Sequence, residues 1–225
     1  MPGLVNAHCH LELTKAPKYE PTDFQDLSGE SNFIRWLIKI SKFQDSLKPE
    51  EKRNAIQLGF EAMQKEGITT IGDLTTYEGA LRLYDDSQLR VVTYPEIMSI
   101  HRSISQDRFE SALAIVDEVA GSNHPRISVG LAPFAPYTVS KNLLKILYQH
   151  IKQLQIPVQI HASQSFAEME FFYDSKGDVA NFLFPEAGWG ENLPPPYQKT
   201  PIQYLNSIDF LQIRPALVGL SLIHI

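Results

Sequence analysis

Short β-branched runs alternate with amphipathic stretches along most of the chain, and that alternation limits the fold more than any other feature. Residues 3–7, 68–74, 89–94, 127–132 and 158–161 read as strands, and residues 216–218 as the start of a sixth. Between them Phe33, Trp36, Leu37 and Ile40 recur at helical spacing. Pro49 with Glu50 and Glu51 opens a second helix, because proline fits the first turn and acids complement its dipole. Ile56, Phe60 and Met63 extend its apolar face, and Gly67 stands where a C-terminal cap belongs. Residues 78–84 and 109–119 read as further helices, and Ser140 caps an amphipathic helix over residues 143–154. Strands separated by helices predict a parallel sheet of βα units. The stretch 185–201, with its Pro194, Pro195 and Pro196 run, is expected to be a long loop over one face. The pattern reads as one domain and leaves a doubly wound sheet and a (β/α) barrel both open.

Composition narrows the class of partner. Lys plus Arg number 20 against 26 Asp plus Glu, a formal charge of −6, so no general basic field attracts nucleic acid or anionic membrane. No run of about 18 apolar residues is present to span a bilayer. The first residues lack the basic region and long apolar core of a signal peptide. The one cysteine, Cys9, excludes an intramolecular disulfide framework and fits a reducing, cytoplasmic setting.

His8 and His10 lie two apart at the end of the first strand, so both imidazoles point the same way and can reach one metal ion. His161 ends the fifth strand, which places it at the same end of a parallel array. Asp73 ends the second strand, either supporting the site or capping a loop, and Glu12 is expected to face substrate or solvent. His101, His124 and His150 read as exposed, and Cys9 as a packing residue turned away from the histidine pair. No Walker loop, dinucleotide-binding glycine motif or Gly-x-Ser-x-Gly elbow occurs.

The segment Pro2-Gly3-Leu4-Val5-Asn6-Ala7-His8-Cys9-His10-Leu11-Glu12-Leu13 resembles the metal-binding opening of the amidohydrolase superfamily. The closest branch contains the chlorohydrolases and the cytosine, guanine and aminofutalosine deaminases. Residues 67–73, 132–140 and 161–168 resemble its second, fourth and fifth strand motifs. The resemblance implies a partial (β/α)8 barrel of five to six βα units, covering residues 1–219, with His8, His10 and His161 as metal ligands. One divalent ion, zinc or iron, is implied, because the fourth strand offers no lysine to bridge two. It further implies a hydrolase of non-peptide carbon–nitrogen bonds, deaminating a purine-like or related ring with metal-activated water. The partner is then a small-molecule substrate, and a homo-oligomer is compatible with this reading.

The chain departs from the family pattern in four places. Gln164 occupies the position of the proton-shuttling glutamate, and losing general acid–base catalysis costs about 100- to 10,000-fold in rate. Phe134 stands where many relatives carry a substrate-contacting histidine, and Gly219 where a sixth-strand metal histidine is expected. His224 lies five residues late for that role. Fourth, the sequence looks truncated at both ends: the β-sandwich before the first strand and the eighth-strand aspartate have no counterpart, and residues 220–225 read as an atypical tail, from an assembly or reading-frame error. An incomplete barrel exposes strand edges, so the isolated chain is expected to aggregate or require a partner. The alternative to the hydrolase is a non-catalytic pseudoenzyme or fragment that serves as a binding scaffold, or a metal- or ligand-binding module without turnover.

Overall fold

A computed structural model describes residues 2–16, 33–98, 105–190 and 192–222. In chain order the principal elements are β1 (Leu4–Cys9), α1 (Phe33–Ser46), α2 (Pro49–Lys65), β2 (Ile68–Thr75), α3 (Ala80–Asp86), β3 (Arg90–Ile97), α4 (Ser105–Ser122) and β4 (Ile127–Val129). They continue with β5 (Ala132–Pro133), α5 (Lys141–Leu154), β6 (Gln159–Ala162), α6 (Phe166–Asp174), α7 (Phe184–Glu186), α8 (Pro201–Ser207) and β7 (Ala216–Gly219). The chain divides into two compact units. One comprises Met1–Ala16, Phe43–Ile97 and Gln106–Ala132; the other comprises Pro17–Lys42, Met98–Ser105 and Pro133–Ile225.

In the first unit, β1 to β4 lie side by side in sequence order, every pair parallel. Cys9 pairs with Asp73, and Asp73 in turn with Thr93, so the C-terminal ends of β1, β2 and β3 share one edge of the sheet. Ile71, Leu74, Val91 and Ile97 are buried, as β-branched and aliphatic residues of a parallel strand covered on both faces should be. Helix α2 begins as the sequence dictates: Pro49 sits in the first turn, and Glu51 accepts a 2.8 Å hydrogen bond from the Lys48 amide. It ends at Gly67, whose φ of +75° suits a residue without a Cβ.

The second unit contains the parallel pair β6 and β7, with His161 opposite Val218 and Ala162 opposite Gly219. Ser140 caps α5 by accepting from the Leu143 amide at 3.2 Å, and Leu144, Leu147 and Ile151 form its buried stripe. Ser165 caps α6 in the same way through the Glu168 amide at 3.3 Å. The stretch 185–201 is less uniform than the loop expected of it. Residues 184–186 are helical, following a π-helical turn at Val179–Leu183, and Thr200 with Gln203 forms a capping box that starts α8 at Pro201. Of the atypical tail, Leu220 and Leu222 donate backbone hydrogen bonds to Ala162 and Ser163, while residues 223–225, with His224, lie outside the described residues.

Candidate metal centre

At the end of β1 the rings of His8 and His10 stand with centroids 5.1 Å apart, edge to face. His10 Nδ1 lies 3.7 Å from Oε1 of Glu96, a buried acid at the end of β3. Burial among other acids, Glu12 and Asp73 included, pushes the Glu96 carboxyl up to about 8. An imidazole backed on one nitrogen by a carboxyl is oriented to present the other nitrogen to a cation, the arrangement of histidine–carboxylate metal sites.

Two further acids hold the segment that carries His10. Asp73 accepts from the Leu11 amide at 2.9 Å and from the Tyr84 hydroxyl at 2.5 Å, and it is fully buried. Desolvation outweighs those bonds and raises its carboxyl to about 7. Of the two roles the sequence allows Asp73, the structure shows a clamp on the backbone that follows the histidine pair.

Glu12 differs more from expectation. The sequence turns it towards substrate or solvent; the structure buries it completely. Its carboxylate accepts from the Thr75 hydroxyl, the Thr76 amide at 2.6 Å, the Thr76 hydroxyl at 2.8 Å and the Tyr77 amide at 2.8 Å. Lys52 Nζ lies 3.4 Å away. The carboxylate is consumed in tying the turn after β1 to the turn after β2. Cys9 is half-buried, with its thiol 3.5 Å from the Gly72 carbonyl oxygen and 3.8 Å from Asp73. Burial, with the Asp73 charge, pushes the thiol well above its ordinary range, so it is no nucleophile.

In the second unit, β6 presents His161. Its Nδ1 lies 3.0 Å from the Phe134 carbonyl oxygen, which fixes the proton on Nδ1 and the lone pair on Nε2. The Phe134 ring packs on the imidazole with centroids 4.6 Å apart, so this wall is apolar as the sequence implies. Gln164 follows on the loop, and its backbone amide donates to the Glu168 carboxylate at 2.9 Å. Glu168 is buried, and desolvation raises its carboxyl to about 7. Gly219 has a φ of +97°, and a Cβ there would stand 2.6 Å from Gln164 Cγ. Two departures from the family pattern are therefore packed against each other.

The remaining histidines correct the sequence reading. His124 is half-buried rather than exposed: it pairs with Asp85 at 2.7 Å and accepts from the Arg126 and Ile127 amides through Nδ1. His150 is also half-buried, and His101 lies outside the described residues. Glu96 carries no motif in the sequence. The rule that singles out Asp73, an acid at the end of a buried strand, would have found it.

The profile of the Amidohydrolase family matches residues 1–185. The chain belongs to the amidohydrolase family. It is 22% identical over 227 residues to a 5-methylthioadenosine/S-adenosylhomocysteine deaminase of Carboxydothermus hydrogenoformans, covering 100% of this chain and 45% of that protein. It is 27% identical over 180 residues to a 5'-deoxyadenosine deaminase of Methanocaldococcus jannaschii, covering 79% of this chain and 41% of that protein. Among solved structures, a zinc-bound adenosine deaminase from Xanthomonas campestris matches 97% of this chain and 44% of its own, with a TM-score of 0.69 at 21% identity. The fold is that of a partial amidohydrolase (β/α)8-type barrel, as the resemblance implied. The chain spans a little under half the length of the curated relatives it matches.

Proposed function

We propose that this amidohydrolase chain is part of a metal-dependent hydrolase of non-peptide carbon–nitrogen bonds, deaminating an aminated purine-like ring. The observation that carries the reading is the His8 and His10 pair with Glu96 behind His10, in a chain that belongs to the family. His8, His10 and His161 would together hold one divalent cation, zinc or iron; the donor set suits either, since neutral imidazoles are good ligands for both. Such an ion supplies the Lewis acidity that ionises water near neutral pH.

The chain's own residues shape what can follow. Glu96 and the Phe134 carbonyl orient His10 and His161. Phe134 gives an apolar wall that excludes water and favours a flat ring. Glu12 positions the turn that follows His10. Gln164 can orient an amino or ring-nitrogen group through its amide but can neither donate nor accept a full proton in turnover. That limit favours a second reading, a binding scaffold without turnover.

Metal analysis of the purified chain, with ammonia release from adenosine and 5'-deoxyadenosine, tests both. The hydrolase reading expects about one zinc or iron per chain, lost in His8→Ala and His161→Ala, with slow ammonia release that Gln164→Glu raises by about 100-fold. Metal without ammonia release, in the parent and in Gln164→Glu, selects the scaffold. Absence of metal removes the proposed centre.

A further inference from the structure

The second unit contains a cavity of about 170 Å³ between the segment that runs from β5 into α5, α6 and the segment leading into α8. Its walls are rich in aromatic rings. Phe172 and Tyr204 lie with centroids 4.8 Å apart, Tyr197 and Tyr204 4.7 Å, and Phe171, Phe184 and Trp189 add further rings to the lining. A void of this size and character holds one aromatic ring: an apolar cavity of about 150 Å³ stays dry and takes up benzene. The offset and tilted spacings of the wall rings are those at which a further ring gains stacking energy.

The cavity has one charged lining residue, Lys141, at the first position of α5. That first turn contains no acid, and among the described residues no carboxylate pairs with Lys141. Tyr137, also in the wall, is buried with no hydrogen-bond partner for its hydroxyl. Asn192 adds an amide to the lining. An aromatic chamber with a single cation that is unpaired among the described residues, and an unsatisfied hydroxyl in its wall, matches a guest that is apolar at one end and anionic at the other.

We propose that this cavity binds a small aromatic carboxylate, its ring among Phe172, Trp189, Tyr197 and Tyr204 and its carboxylate at Lys141. The proposal rests on the cavity alone and does not depend on the histidine centre or on hydrolytic activity. Two tryptophans, Trp36 and Trp189, are present, so Trp36→Phe leaves the indole of the cavity as the sole reporter. That protein is titrated at neutral pH with benzoate and with benzyl alcohol, following Trp189 emission. Benzoate gives a saturable change and binds about tenfold more tightly than the neutral alcohol, the factor a charge-assisted contact supplies. Lys141→Met, a change at an exposed side chain, lowers benzoate affinity to that of benzyl alcohol and leaves benzyl alcohol affinity and far-UV circular dichroism unchanged. A linear, unsaturable response, equal affinity for the two probes, or benzoate binding indifferent to Lys141→Met overturns the proposal.

Discussion

Replacing Glu12 by alanine should cost the chain most of its stability margin. The carboxylate satisfies two backbone amides, those of Thr76 and Tyr77, and two threonine hydroxyls, and it faces a largely buried Lys52 ammonium. Each buried amide left without an acceptor costs about 1–3 kcal/mol. Removing one partner of a buried ion pair costs about 3–5 kcal/mol, chiefly because the survivor stays buried and unpaired. These contributions overlap in one network, so the expected loss is about 3–5 kcal/mol rather than their sum. Urea unfolding followed by far-UV circular dichroism reads it directly. Glu12→Gln in combination with Lys52→Met should cost less than Glu12→Gln alone, because the orphaned ammonium is then gone. A loss below about 1 kcal/mol for Glu12→Ala would refute the reasoning, since no buried charge would then have been uncompensated.

Two more outcomes follow from neighbouring geometry. Gly219→Ala should destabilise by about 1–3 kcal/mol through its positive φ and the contact with Gln164, and Gln164→Ala should recover the steric part, which a double-mutant cycle measures. Asp73 binds its proton more tightly when folded, about 7 against an ordinary 3.8. Its stabilising contribution is therefore complete below about pH 4 and is lost as pH rises through about 7, with a slope approaching about 1.4 kcal/mol per pH unit in that window. Urea midpoints measured from pH 4 to 8 should show a shallower decline in Asp73→Asn.

Most of the strand order was legible because buried parallel strands must be runs of β-branched residues, and residues 68–74 are one. The sequence ends the third strand at Tyr94; the structure carries it through Pro95 to Ile97 and so brings Glu96 to the strand end, near His10. Helix α6 carries little sequence signal because residues 166–174 are aromatic-rich and only weakly periodic, although Ser165 is a sound cap. The start of α8 had a usable signal in Thr200, Pro201 and Gln203, masked by the proline run before it. The histidines were visible as ligand types in suitable places. What their spacing could not convey was the support beneath them, because Glu12, Asp73 and Glu96 come from separate strand ends and meet only through the register of the sheet.

The closeness of Gln164 to residue 219 couples the two positions. Any side chain placed at 219 has to share space with the Gln164 methylene, so its acceptance depends on the rotamer taken at 164.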